Sequence, residues 1–500
     1  MKDLVFSSFA PDVTALMFEE AEISFQQGNE VTVVVCNDSI CACPGNPSNN
    51  KALCYLCQRF ARKMEKLISK GIKVIPVDAY ATDAMREETD KLTFDYQSVK
   101  DIKKLTFHHV RIGYGCMSAY VTCTRNNDPL IDDAFRTYFD DYLRRVCYQT
   151  LLHEAIIERE QPDHISFFNG RTSEARSALN IAEWKGIDFT SCECRFLFPH
   201  TSAKRYTHNS LSHSISKVTE LIEDSWEDKT VPEKDKVRLG KWFFESKVTN
   251  RFYGDTNYTG KQDPNQLPEG WDKQKRNIVI FNSSEDEHSS ISDEFDDNNL
   301  FPSQIEGIEW VAKALADADD TEVYLRIHPN LRNVKYKYHT DLLKLGEKYR
   351  HFHVIRGDSK ISSYNMMRHA SLVLVFGSTI GVESAYAGKP VITLAACTYM
   401  KLGFCYVPKT TEELTALLND RHLKPLKNEN TLKFGYFCMN PHQPGFYFFH
   451  NDKRMVKVLG REGLGYPMDT VLGSMKLAVL VRLLVNRFFI KDRLPRKERD

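Results

Sequence analysis

Residues 371–395 read SLVLVFGSTIGVESAYAGKPVITLA, two apolar runs separated by a polar, glycine-bounded insert. The run ending at Phe376 is short, unbroken and bounded by glycine, the pattern of a strand buried on both faces. Gly377, Ser378 and Thr379 end it. A helix over 379–387 follows, with Glu383 in its first turns and a stop at Gly388-Lys389-Pro390, before the next strand at 390–395. Strand, tight turn, helix and strand make a parallel β-α-β unit with hydroxyls and a carboxylate where sheet meets helix.

The same alternation runs through the second half of the chain. Strands are expected at 277–282, 322–328, 352–357, 371–377 and 390–395, with helices near 303–318, 338–350, 361–369, 379–387 and 410–419. The first half alternates too. "DLVFSSF" (3–9), a helix near 12–27, "EVTVVVCND" (30–38), a helix over 51–69 and "GIKVIPVDA" (71–79) open it, and 129–160 is helical. "HISFFNGRTSEARSALNIAEWKGIDFTSCE" then reads as strand, turn, helix, strand. The fold class expected is α/β, two tandem Rossmann-like domains with a cleft between them and a C-terminal helical extension. Boundaries fall at 1–250, a linker at 251–275, a second domain at 276–430 and an extension at 431–500. The stretch 223–275 is charged and weakly periodic and reads as the connection, with "KWFFESKV" as a helix inside it.

Five hundred residues exceed one core and suit roughly two to three domains. With 42% hydrophobic and 27% charged residues the composition is that of a globular protein. A net charge of +0 argues against a nucleic-acid partner held by bulk basic charge. The N-terminal stretch shows no cleavable signal pattern, and no run of about 18 uncharged apolar residues is present, so a cytoplasmic protein with mostly reduced thiols is expected.

In an open parallel sheet, ligands bind beyond the carboxyl ends of the strands. The second domain places Ser283, Ser284, Glu285, Asp286 and Glu287 after one strand, Arg326, His328 and Asn330 at another, and Ser378, Thr379 and Glu383 after a third. Arg326 and His328 can neutralise anionic oxygens, the turn at 378–379 can receive phosphate at a helix start, and Glu383 can accept from ribose hydroxyls. Singly, each has a plainer reading as an N-cap, a structural histidine before proline or a dipole partner. Their coincidence on one sheet edge makes a nucleotide site the expectation.

"LRIHPN" and "SSYNMMRHASLVLVFGSTIGVESAYAGKPVI" together resemble the C-terminal half of bacterial surface- and capsule-polysaccharide glycosyltransferases of the GT-B type, those like Kdo transferases and CDP-glycerol transferases in particular. The likeness covers about 275–420. It implies that His328, Ser378, Thr379 and Glu383 contact a nucleotide-sugar donor and that "SSEDE" faces its phosphates. It implies a glycan acceptor and, at the level of the family, a CMP-activated acidic sugar such as Kdo. In the first domain Asn169-Gly170-Arg171 and Glu193 sit at neighbouring strand ends. Glu193, or a carboxylate among Glu285, Asp286 and Glu287, would serve as base for the acceptor hydroxyl, and Arg171 would neutralise a donor phosphate or an acidic sugar. No metal-binding D-x-D stands at an evident strand end, so no cofactor is expected for catalysis.

Two further features stand apart. Cys41, Cys43, Cys54 and Cys57 form C-x-C-x10-C-x-x-C, spacing that would permit a structural zinc; the alternative is a set of small buried residues. From Lys476 onward eight Lys/Arg face three acids, and Leu477 to Ile490 is apolar but interrupted by Arg482, Asn486 and Arg487. Residues 474–500 would lie as a helix on the inner face of an anionic membrane, or fold back across the two domains. The enzymatic rivals are a sugar-nucleotide epimerase and a polyol-phosphate transferase of the same fold. The rival of another class is a non-catalytic glycan- or membrane-binding protein.

Overall fold

The structure is a computed structural model that describes residues 1–7, 11–39, 42–43, 46, 51–198, 201–249, 251, 258–440, 455–456 and 466–467. The chain divides into two compact units: Met1–His213, with segments beyond residue 440, and Ser214–Asn440.

Unit 1 is built on a six-stranded sheet. Its strands are β1 (Lys2–Phe6), β2 (Glu30–Val35), β3 (Lys73–Pro76), β4 (His164–Phe168), β5 (Asp188–Phe198) and β6 (Thr201–His208), in the order β3-β2-β1-β4-β5-β6. The first five run parallel, and β6 returns antiparallel beside β5. The 28-residue helix Asp133–Glu160 fills one face, burying Phe135, Phe139, Tyr142, Leu143 and Val146 at helical spacing. The helices Ile112–Thr124 and Ser173–Lys185 complete that layer. Helix Ile112–Thr124 is buried along almost its whole length, so it shows no amphipathic period by which sequence could reveal it.

Unit 2 carries β7 (Arg276–Phe281), β8 (Thr321–Arg326), β9 (Phe352–Ile355), β10 (Leu372–Val375) and β11 (Val391–Thr393), all parallel, in the order β11-β10-β7-β8-β9. In each unit the strand that comes first in sequence lies inside the sheet, with the next two on one side and the following two on the other. Both are therefore Rossmann-like, and the order reverses between β1 and β4 in unit 1 and between β7 and β10 in unit 2. Leu372 to Val375 is buried throughout, as the opening stretch requires.

The first part of the stretch read as a connection, up to residue 248, falls in two helices of unit 2, Ile215–Glu227 and Glu233–Val248. Helix Glu233–Val248 lies against the helix Glu429–Met439 at a crossing of bare backbones. A Cβ on Gly240 would stand 2.7 Å from the Leu432 carbonyl oxygen, and one on Gly435 would stand 2.6 Å from that of Gly240. Phe244 stacks on Tyr386 with ring centroids 4.0 Å apart, which ties the same helix to the segment that follows β10. The expected basic helix at 474–500 lies outside the described residues. Among the described residues no helix is long and apolar enough to cross a membrane.

Candidate functional site

The turn after β10 is set by backbone demands. Gly377 takes a φ of 79° that side-chain-bearing residues resist, and a Cβ there would meet the Ala396 carbonyl oxygen at 3.0 Å. The buried Tyr399 hydroxyl donates to the Ser378 carbonyl at 2.6 Å and lies 2.6 Å from where a Cβ of Gly381 would be. The helix that follows, Ile380–Tyr386, has only seven residues, and Thr379 at its N-cap makes no side-chain capping bond. The macrodipole expected to favour a phosphate at this point is therefore short, while the two hydroxyls stand at the mouth of the turn, Thr379 exposed and Ser378 half-buried.

Glu383 is 7% exposed and sits between two groups. Tyr364 donates to its Oε2 at 2.6 Å, and Lys247 Nζ lies 3.2 Å from its Oε1. Neither partner was foreseen. Lys247 comes from the helix taken for part of a linker, and Tyr364 from the helix Ser363–His369.

His328 follows β8. Its backbone N–H donates to Asn282 Oδ1 at 2.8 Å, and its ring Nδ1 accepts from the Asn330 N–H at 3.2 Å. Acceptance at Nδ1 puts the proton of a neutral ring on Nε2, where it can donate to an anionic oxygen. Asn282, at the carboxyl end of β7, was also missed, since a lone asparagine after a strand signals only a turn. Asn330 Nδ2 donates to Glu287 Oε1 at 3.1 Å. The loops after β7 and β8 are thus stitched to each other, and His288 edges toward the position a Cβ of Gly377 would take, 3.7 Å away. His328, Glu287, Ser378 and Thr379 accordingly share one sheet edge in unit 2.

Several of the expected ligand residues are held by groups of the protein itself. Arg326 is 2% exposed, and its guanidinium donates to the Arg356 carbonyl, to the Ser359 carbonyl at 3.1 Å and to Ser363 Oγ at 3.3 Å. It clamps the segment after β9. Ser283, Ser284 and Asp286 are buried as well. Ser283 is held on both its N–H and its hydroxyl by Gln304, at 3.2 and 2.8 Å, and Ser284 donates to Asp286. These groups build the loop; Glu287 is its exposed carboxylate.

In unit 1 Asn169 and Gly170 both take positive φ, 63° and 78°, and a Cβ on Gly170 would press on Leu179 at 2.7 Å. The resulting turn aims Asn169 at Glu193, on the adjacent strand β5. Asn169 Nδ2 donates to Glu193 Oε1, Asn169 Oδ1 accepts from the Arg171 N–H at 3.1 Å, and Arg171 Nε donates to Ser118 Oγ at 2.6 Å. His213 Nε2 lies 4.0 Å from Glu193 Oε1. Burial raises the Glu193 carboxyl above the usual range, against the lowering influence of Arg205, Asn169 and Arg171. A carboxyl held so suits proton transfer.

Burial, reinforced by Asp38, pushes the Cys54 thiol up to about 12, and burial does the same for Cys57. Asn46 Nδ2 donates to Cys54 Sγ at 3.1 Å. Among the described residues no group of three or more His, Cys, Asp or Glu is placed to hold a metal, and Cys41 lies outside them.

Solved structures similar to the chain include a β-Kdo 2,4 transferase, KpsC, of Thermosulfurimonas dismutans, at 15% identity over 54% of this chain and 78% of that one, with a TM-score of 0.36. They include UDP-GlcNAc 2-epimerase from Neisseria meningitidis bound to UDP-GlcNAc (13%, 88% and 97%, TM-score 0.29). A third is SsfS6, a glycosyltransferase of Streptomyces sp. SF2575 (10%, 87% and 95%, TM-score 0.22). Scores this low add nothing to the strand order already described. No curated protein matches the chain. Residues 271–423, which span β7 to β11 and carry His328, Ser378, Thr379 and Glu383, match the family described as capsule polysaccharide biosynthesis protein, and it is this capsule-type family that unit 2 resembles.

Proposed function

We propose that the protein is a glycosyltransferase of capsule or other surface-polysaccharide synthesis, taking a sugar from a nucleotide-sugar donor. The observation that carries this reading is the sheet edge of unit 2. His328 with a donor-competent Nε2, the hydroxyls of Ser378 and Thr379, and Glu383 stand at the carboxyl ends of β8 and β10, within the segment that matches the capsule family. In this reading His328 and the 378–379 turn receive donor phosphate, and Glu383 receives the ribose by exchanging its bond from Tyr364. Glu193 of unit 1 is the base for the acceptor hydroxyl, and donor charge is met by protein groups with no divalent cation. A glycan is the acceptor, and a CMP-activated acidic sugar is the first donor to try.

The test is a nucleotide and nucleotide-sugar panel (CMP, UDP and GDP forms) read by thermal shift, since a ligand of the native state raises its stability. One nucleotide should stabilise the protein, and His328→Ala and Glu383→Ala should abolish the shift. Binding by none of them, or shifts unchanged in both variants, would sink the reading. Conversion of a UDP-sugar to its epimer without any acceptor would favour the epimerase instead.

A further inference from the structure

The outer face of one helix of unit 1 carries a row of cations. Lys51, Tyr55, Arg59 and Arg62 recur at spacings of four, four and three along the helix Lys51–Glu65, which sets them on one face. All four are exposed, and Lys66 and Lys70, also exposed, follow on the turn that leads into β3. The other side of this segment holds it to the sheet. Phe60, Met64 and Ile68 are 3, 3 and 8% exposed and share a core with Val5, Val31 and Val33. At the two ends of the row the charge is matched: Lys51 pairs with Asp38 at 2.8 Å, and Lys73 with Glu160 at 2.7 Å. Between them Arg59, Arg62, Lys66 and Lys70 make no ion pair among the described residues, and Glu65 is the one acid from 55 to 70. The whole chain has a net charge of +0, so this is a local concentration of positive charge.

In a parallel sheet the helix between two strands returns from the carboxyl end of the first to the start of the second. The row therefore begins, at Lys51, on the sheet edge where Asn169 and Glu193 stand, and runs along the outside of unit 1 away from it. Like charges along one helix face repel each other and gain from a polyanion laid over them. A row, unlike a pocket, suits a chain whose charges recur. Phe60, Met64, Leu67 and Ile68 are all committed to the core, which leaves no described aliphatic side chain among the cations to enter a bilayer. Tyr55, 57% exposed, instead offers an aromatic face with a polar tip, suited to pack on a sugar ring.

We propose that this face of unit 1 is a docking track for an acidic polysaccharide, with Arg59, Arg62, Lys66 and Lys70 pairing with its carboxylates and Tyr55 packing on a sugar ring. Naming a glycan as the polyanion rests on the glycosyltransferase reading; the row of charge does not.

Isothermal titration of the full chain with oligogalacturonate, and with neutral dextran as control, tests this. The acidic oligomer should bind saturably and more weakly as salt is raised, and dextran should not bind. Arg59→Glu, Arg62→Glu and Lys66→Glu combined should weaken the binding by about tenfold or more. The unfolding midpoint should not move, since all three side chains are exposed. Reversing three exposed charges of unit 2 instead, with Lys229→Glu, Lys261→Glu and Lys427→Glu, should weaken the binding far less. The unit 1 variant should also keep the thermal shift of any nucleotide that binds, so failure of the track and failure of the unit 2 reading are told apart. No saturable binding of oligogalacturonate, equal binding of dextran, or equal loss in the two triple variants would overturn the proposal. So would tighter binding of single-stranded DNA or phosphatidylglycerol vesicles than of oligogalacturonate through the same three residues.

Discussion

Lys247 Nζ lies 3.2 Å from Glu383 Oε1, and both side chains are about nine-tenths buried. The pair joins the helix Glu233–Val248 to the first turns after β10. It fixes the carboxylate that the nucleotide reading depends on, with Tyr364 on the other oxygen. Removing one member of a buried pair leaves the other charge uncompensated, at a cost of about 3–5 kcal/mol. Lys247→Met should therefore destabilise unit 2 by about 3 kcal/mol in urea unfolding, and adding Glu383→Gln should restore part of the loss. Strict additivity of the two changes would show that the pair is not coupled.

Arg326 and His328 are two residues apart but should part company in experiment. Arg326→Met removes the clamp on the Arg356 and Ser359 carbonyls, leaving buried acceptors unmatched. A stability loss of about 2–4 kcal/mol is expected, with nucleotide affinity changed little at temperatures where the variant is folded. His328→Ala should do the reverse, lowering nucleotide affinity while moving the unfolding midpoint little. Equal effects on both quantities in both variants would contradict the assignment.

Gly381 lies under Tyr399. A Cβ at 381 would stand 2.6 Å from the Tyr399 hydroxyl oxygen, so Gly381→Ala must displace the bond from Tyr399 to the Ser378 carbonyl. A loss of about 1–3 kcal/mol is expected from overpacking. Tyr399→Phe clears the oxygen, and the double variant should be more stable than Gly381→Ala alone. If it is not, the crowding lies elsewhere.

Unit 1 contains two titratable groups, the buried His153 and the half-buried Glu174, whose pH effects oppose each other. Burial pulls His153 from 6.5 down to about 3, so the stability it contributes is present above 6.5 and lost as pH falls. Burial pushes the Glu174 carboxyl from 4.5 up to about 7, so its contribution is present below 4.5 and lost as pH rises. Ser177 Oγ lies 2.9 Å from His153 Nδ1 and donates to the backbone carbonyl of Glu174 at 3.2 Å. Between pH 4.5 and 6.5 the unfolded chain carries the proton on His153 and the folded chain carries it on Glu174, so the pair adds no slope. Glu174→Gln removes one side of this balance. Its stability should fall relative to the wild type by about 1.4 kcal/mol per pH unit on going from 6.5 to 4.5, measured by urea unfolding at each pH. Parallel pH profiles for the two proteins would refute the balance.

The sequence by itself determined the parallel strands of both sheets and the strand ends that carry polar groups, but not the antiparallel β6. Short β-branched runs punctuated by glycine leave little choice but buried parallel strands, and the order of side chains along each strand places Ser378, His328 and Asn169 at carboxyl ends. What those groups face was decided only by tertiary structure. Arg326 and His328 look alike as cationic phosphate ligands, yet Arg326 ends β8 with its guanidinium enclosed by the segment after β9, while His328 lies past the end of the strand at the sheet edge. Helix Glu233–Val248 was legible only as "KWFFESKV", because its first half is as charged as a loop. Its place beside Glu383 rests on the contact of Gly240 with a helix almost two hundred residues away. The approach of the helices Ile112–Thr124 and Ser173–Lys185 likewise has no local signal: Gly115 lets the bare backbone of one come against the first turn of the other.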